Sequence, residues 1–136
     1  MKEAVRQVAQ LYLDALYHGD VELFRSVFHR DARLFSSSDG SMLALDLETY
    51  LAIVLGRPSP ASRDDPRLDE ILSIEISSPT TVHVRVRCAY LPKRFTDELT
   101  FVWLDGRWRL VAKVWHFEIE ENNDTFKLTQ TDNQKK

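Results

Sequence analysis

Between Leu99 and His116 the chain reads as one long β-hairpin, and the turn at its centre sets which residues face one another. Asp105-Gly106 is a two-residue turn that needs positive φ at both positions, which Gly adopts freely and Asp tolerates. Counting outward from it pairs Trp103 with Trp108, Phe101 with Leu110, Leu99 with Ala112, Asp97 with Val114 and Phe95 with His116. The opposite face carries Val102 against Arg109 and Glu98 against Lys113. Strand side chains alternate with period two, so one face is apolar throughout except at Asp97 and His116. Those two residues are the first candidates for chemistry.

The segment before the hairpin alternates in the same way. Leu72, Ile74 and Ile76, then Val82, Val84, Val86, Cys88 and Tyr90, predict two further strands, so that four antiparallel strands follow Asp69. A symmetric turn at Pro92-Lys93 sets Tyr90 against Phe95, Cys88 against Asp97, Val86 against Leu99, Val84 against Phe101 and Val82 against Trp103. All of these partners fall on the apolar face already defined, as expected when pattern and register agree. On the other face Arg87, Glu98 and Lys113 form a charge ladder. The same registers place Val102, Val111, Trp115 and Phe117 there, among Arg85, Arg87, Glu98 and Lys113. An apolar centre with a charged surround is the anatomy of an interface, and a homodimer through this face is expected.

The N-terminal half reads as helical. Val5, Val8, Leu11, Tyr12, Ala15 and Leu16 recur at helical spacing from about Lys2 to Tyr17, and Gly19 ends that stripe. Asp20 is the expected cap of a second short helix carrying Leu23, Phe24, Val27 and Phe28. Ala32 to Phe35 reads as a short strand, Ser36 to Ser41 as a turn and Met42 to Ala44 as a second extended piece. An Asp46 cap opens a third helix with Leu47, Tyr50, Leu51, Val54 and Leu55 on its buried side and Gly56 just past its end. Arg57 to Arg67 holds three prolines and is expected as a surface connection. After Glu118 the chain is polar, and 119–136 is expected to be a mobile tail beside a single domain at 1–118.

Composition narrows the function classes. At 136 residues with 43% hydrophobic content the chain is one domain that buries a core without disulfides or a structural metal. Cys88 is the only cysteine, which points to a reducing, cytoplasmic setting and away from a structural zinc site. The early charges Glu3, Arg6 and Asp14 leave no apolar signal segment, and no run reaches a membrane span, so no membrane partner is expected. A net charge of −3 lacks the basic footprint of a nucleic-acid binder. His18, His29, His83 and His116 lack ligand spacing, so neither metal nor cofactor is expected.

The order helix, helix, short strand, helix, then four long strands resembles the nuclear transport factor two-like superfamily. The motifs Tyr17-x-Gly19-Asp20, Phe28-His29-x-Asp31-Ala32-x-Leu34, Ile71-x-x-Ile74 and Asp97-x-Leu99, followed by Asp105-Gly106-x-Trp108-x-Leu110-Val111-x-Lys113-Val114, are similar to its branch labelled putative lumazine-binding. The likeness runs from about residue 3 to 118. It implies an α+β cone, with three N-terminal helices packed in the concave face of a curved antiparallel sheet, and a pocket at the open end. It does not carry a lumazine cofactor onto these residues. The superfamily also includes isomerases, whose general-base carboxylate falls at the position of Ser36 here; a serine without an activating base cannot abstract a carbon-bound proton.

Within such a cone, Asp97 and His116 are the candidate catalytic residues, and Tyr12, Tyr50, Tyr90, Phe95, Phe101 and Trp103 the candidate ligand-binding ones. An Asp on an apolar face must find hydrogen-bond donors or shift its pKa. It is either structural, tied to backbone or to a tyrosine hydroxyl, or an anchor for a ligand. His116 is either an imidazole oriented by Asp97 or an ordinary strand-end histidine at the rim. Three functions stay open: a pocket for a small apolar or aromatic molecule, a lyase or isomerase using Asp97 and His116, and a non-catalytic dimeric interaction module.

Overall fold

The computed structural model describes residues 1–120. The elements run α1 (Lys2–His18), α2 (Val21–Val27), β1 (Phe28–Ser36), β2 (Leu43–Asp46), α3 (Leu47–Leu55), a single 3-10 turn (Ala61–Arg63), β3 (Glu70–Ser78), β4 (Thr81–Tyr90), β5 (Lys93–Leu104) and β6 (Arg107–Ile119). Of the expected tail, Ile119 still belongs to β6 and Glu120 pairs with Arg94. The remainder, and the mobility expected of it, lie outside the described residues.

The helix ends follow the local chemistry of the sequence. Gly19 takes the left-handed conformation at φ 62° and returns its N–H to the Ala15 carbonyl. Asp20 Oδ1 accepts from the Leu23 N–H at 3.0 Å and Asp46 Oδ1 from the Thr49 N–H at 2.9 Å, each capping the helix it precedes. Val5, Ala9, Tyr12 and Leu13 of α1 are buried with Phe24 and Val27 of α2 and Leu47, Tyr50, Leu51 and Val54 of α3. Leu55, expected on the buried side of α3, is exposed, because the helix stops there and leaves its last residue past the core.

All six strands form one curved, open sheet in the order β2-β1-β6-β5-β4-β3. The four long strands are antiparallel to one another, but β1 runs parallel to β6, so the sheet is mixed rather than wholly antiparallel. Val82, Val84, Val86, Leu99, Phe101 and Leu110 point to one face, where they join the helical residues in a single core cluster.

Two registers depart from the sequence reading, with opposite consequences. In the β4–β5 hairpin the ladder continues up to Tyr90 opposite Lys93, leaving Leu91-Pro92 as the turn. Val86 therefore faces Asp97 and Cys88 faces Phe95, two residues away from the expected partners. A slip of two leaves every side chain on its original face. The β5–β6 hairpin obeys the Asp105-Gly106 count only as far as Phe101 opposite Leu110. Val111 is then an extra residue, and Thr100 pairs with Ala112, Leu99 with Lys113 and Asp97 with Trp115. Such a β-bulge shifts the phase by one and inverts every residue beyond it. Lys113, Trp115 and Phe117 move to the core face, whereas Val114 and His116 move to the outer one. Neither the outer-face centre built on Trp115 and Phe117 nor the Arg87–Glu98–Lys113 ladder exists; Glu98 instead meets Arg85 at 2.9 Å and His83 at 2.8 Å.

Candidate functional site

The bulge produces a charged cluster beneath the helices. Asp97 of β5 and Lys113 of β6 are 1% and 5% exposed, with Nζ 3.9 Å from Asp97 Oδ2. The same oxygen accepts a 2.6 Å hydrogen bond from the Tyr12 hydroxyl of α1 and a 3.6 Å contact from the Cys88 thiol of β4. Lys113 donates to the Tyr50 hydroxyl of α3 at 3.1 Å, and its ammonium lies over the rings of Tyr50, Tyr12 and Trp115 at 4.6, 5.2 and 5.3 Å. An aromatic cage of this kind stabilises a desolvated cation. Asp97 Oδ1 is buried and has no hydrogen-bond partner among the described residues. A buried carboxylate oxygen left unsatisfied is costly.

The electrostatics keep protons on the donors. Burial first, and the Asp97 carboxylate second, push both the Tyr12 hydroxyl and the Cys88 thiol well above their ordinary values. Burial alone pulls the Lys113 ammonium down, but the Tyr50 hydroxyl and the Asp97 carboxylate outweigh it, and the net direction is upward. The arrangement is thus a carboxylate held by two neutral donors beside a caged ammonium.

Above this cluster lies a cavity of about 290 Å³. Asp97, Lys113 and Cys88 line it together with Leu16, Leu43, Leu45, Ile53, Phe95, Trp115 and Phe117, and with Arg57, Asp39, Tyr90 and Lys93. Apolar walls with a few converging polar groups are the usual anatomy of a small-molecule site. At one side the guanidinium groups of Arg57 and Arg63 sit over the Tyr90 ring at 4.4 and 4.3 Å, and the Tyr90 hydroxyl donates to the Pro58 carbonyl at 2.8 Å. The proline-rich connection is therefore a wall of the cavity as well as a linker.

The expected site residues separate into three groups. Asp97, Tyr50, Tyr90 and Phe95 line the cavity. Tyr12 is fully buried behind it, supporting Asp97, and Phe101 is fully buried in the apolar core. Trp103 and His116 are elsewhere. Trp103 is 45% exposed, edge-on to Trp108, six residues from Asp97 or about 20 Å along an extended strand. The His116 side chain is 61% exposed on the outer face, where it meets Ser38 and Glu118, so it cannot be oriented by Asp97. The bulge at Val111 is the physical reason.

Sequence reasoning missed Lys113, Trp115 and Arg57. A signal for the first two was present: Trp115, Phe117 and Ile119 alternate as apolar residues against His116 and Glu118, in a phase opposite to that of Trp108 and Leu110. Two phases on one strand require an odd number of extra residues between them.

With this geometry in view, the comparisons with known proteins agree on the fold. A mixed α+β architecture of three helices and a curved, open six-stranded sheet is that of the nuclear transport factor two-like proteins. A protein of this class from Silicibacter pomeroyi, of unknown function, superposes with a TM-score of 0.76 at 22% identity, covering 85% of this chain and 94% of its own. Another from Methylobacillus flagellatus, also of unknown function, gives 0.72 at 26% identity, covering 85% and 90%. Residues 1–116 match the family described as putative lumazine-binding, and the chain belongs to that family. Among curated proteins it is 24% identical over 116 residues to the aldolase FrzH of Cladobotryum sp, covering 84% of this chain and 89% of that protein.

Proposed function

We propose that the helices and the curved sheet form a cone whose open end is a site for a small, mostly apolar or aromatic molecule with one polar group directed at Asp97 and Lys113. The observation that carries this reading is that the buried pair Asp97 and Lys113 lines an otherwise apolar cavity while one Asp97 oxygen, Oδ1, has no partner among the described residues. A purely structural carboxylate is expected to have both oxygens satisfied; this one keeps a free acceptor, on a residue that lines the cavity. Asp97→Asn keeps the shape and removes the charge. Binding of the neutral fluorescent probe N-phenyl-1-naphthylamine establishes the cavity, and a ligand co-purified and identified by native mass spectrometry should then lose affinity in Asp97→Asn, beside the loss of stability that follows from leaving the Lys113 ammonium without its counter-charge. Destabilisation with unchanged ligand affinity would assign Asp97 to structure alone.

A second reading is favoured by the curated relative named an aldolase. The lyase or isomerase alternative then rests on Asp97 and Lys113 rather than on Asp97 and His116. For a β-hydroxyketone, Asp97 Oδ1 accepts the hydroxyl proton as the carbon–carbon bond breaks. The bonding pair passes to the ketone fragment as an enolate, whose oxygen the Lys113 ammonium stabilises, and protonation of its carbon by Asp97 restores the carboxylate. No electrons are gained or lost overall. The test is fluorescent aldehyde release from 4-hydroxy-4-(6-methoxy-2-naphthyl)-2-butanone. Lys113→Met should lower turnover by about 10²-fold or more, the scale of losing one oxyanion donor; equal rates in wild type and variant would remove the reading.

The homodimer and the cytoplasmic setting remain proposals of the same kind. The outer face retains a smaller apolar centre in Phe35, Val102 and Val114 beside Arg85 and Glu98, in place of the one expected on Trp115 and Phe117. Sedimentation at about 10 μM, near the scale of an ordinary interface affinity, should show a dimer. Among the described residues no helix is long and apolar enough to cross a membrane, and the lone cysteine, buried and unpaired, suits a reducing compartment.

A further inference from the structure

The mouth of the cavity differs from its floor in how its charges are partnered. Arg25, Arg63, Arg67, Arg85 and Arg94 are each in an ion pair with a carboxylate. Arg57 and Lys93, which line the cavity, are in none among the described residues. Both are nevertheless held in place by aromatic rings that also line it: Arg57 over Tyr90 at 4.4 Å and Lys93 over Phe117 at 4.4 Å. Stacking restrains a long basic side chain while leaving its N–H groups free to donate. The carboxylate at the mouth, Asp39, is engaged by the backbone N–H and the hydroxyl of Ser41 at 3.3 and 3.4 Å.

We infer that the ligand is an organic anion, an aromatic or apolar acid whose carboxylate is received by Arg57 and Lys93 at the mouth while its body lies between Phe95 and Trp115. The inference rests on the small-molecule reading above and adds to it a second polar group, a charged one held at the mouth, apart from the neutral donor that meets Asp97. Two pre-positioned cations at the edge of an apolar cavity favour a charge that stays near solvent, where its desolvation is cheap, with the ring system inward. The floor does not compete for that group, because Lys113 is already engaged by Tyr50 and lies near Asp97, whose own charge repels a second carboxylate.

The test uses three ligands with one ring system and three charges: 2-naphthoate, 2-naphthalenemethanol and 2-naphthylmethylammonium, each read by displacement of N-phenyl-1-naphthylamine. In the wild-type protein 2-naphthoate should bind about tenfold or more tighter than the alcohol, the size of one charge-assisted hydrogen bond, and the ammonium weakest. In Arg57→Gln/Lys93→Gln the advantage of the acid should fall to about threefold or less, with affinity for the alcohol unchanged within about twofold. A flat or inverted order in the wild type, or an acid preference that survives in the double variant, overturns the anion inference while leaving the pocket intact. The wild-type order decides the matter even if the variant does not fold. Failure of the neutral reporter itself to bind overturns the pocket reading, and this inference falls with it.

Discussion

The two ends of the β5–β6 ladder bury side chains against the same helices to nearly the same degree, yet they are built on opposite principles. Toward the Asp105-Gly106 turn, Phe101 and Leu110 are fully buried and meet Val82, Val84, Phe24 and Phe28 in an unbroken apolar core. Beyond the bulge, Asp97 and Lys113 are as deeply buried but keep a charge pair, three polar partners and an open cavity beside them. Apolar packing stabilises in proportion to the area removed from water. A buried ion pair returns little against a hydrophobic replacement, whereas breaking it is costly. The first end holds the fold together; the second spends stability on a chemically competent surface.

Reversing the phase of the outer half of β6 should have the largest effect, because it abolishes the contrast. Deletion of Val111 alone removes the extra residue and leaves Lys113, Trp115 and Phe117 in their inward phase, whereas deletion of Val111 and Ala112 together joins Leu110 to Lys113 and turns Lys113, Trp115 and Phe117 outward and His116 inward. Losing the burial of two aromatic side chains at about 1.5–3 kcal/mol each, together with the Lys113 pairing, should cost on the order of 5 kcal/mol in urea unfolding. The single deletion should cost far less, and a double deletion with near-native stability would mean that the two phases are interchangeable.

Phe101→Ala and Lys113→Ala should both cost about 3–5 kcal/mol, the first through a cavity and the second through an unpaired buried charge. They part in how they are rescued. Asp97→Leu added to Lys113→Met should return stability to within about 2 kcal/mol of the wild type while ligand binding stays lost. No polar replacement near Phe101 should do the same.

Alkali should weaken the charged end alone. Tyr12, Cys88 and Lys113 all have raised folded pKa values. As pH rises past their unfolded values, the unfolded chain releases protons that the folded protein retains, so stability falls. The window opens near pH 8.5 with Cys88 and widens near pH 10 with Tyr12 and Lys113, at about 1.4 kcal/mol per pH unit for each group. Cys88→Ala should move the onset up by about one pH unit; an unchanged onset between pH 8 and 11 would detach the thiol from the cluster.

The smallest effect is expected at His116. His116→Ala should change stability by less than about 0.5 kcal/mol and leave cavity ligands unaffected, as for an exposed side chain outside any network. A large loss of binding would return His116 to the site and contradict its outward placement.

Much of the scaffold was legible in the chain. The Asp20 and Asp46 caps, the Gly19 stop and the Asp105-Gly106 turn act over three or four residues, and their partners are their own neighbours, so sequence spacing is enough to place them. Asp97 was also visible as the one carboxylate on an apolar face. Its bond to Tyr12 spans 85 positions and depends on where α1 crosses the sheet, which no local pattern specifies.

What the sequence alone determined is the element order, the helix starts and the inward face of β4, of β5 and of β6 up to Leu110, because each follows from short-range periodicity and turn chemistry. In β3 a bulge leaves Leu72, expected in phase with Ile74, exposed and brings Ile71 to the core instead. The tertiary structure decided the rest of β6, and with it the site. From Ala112 to Trp115 β6 is paired on both edges, antiparallel to β5 and parallel to the run Arg33–Ser36 of β1. Its phase there must satisfy two partner strands at once, one of them some 80 positions earlier in the chain. The extra residue at Val111 reconciles the turn with that second partner, and the same half-turn of the strand carries Lys113 from the outer face to Asp97.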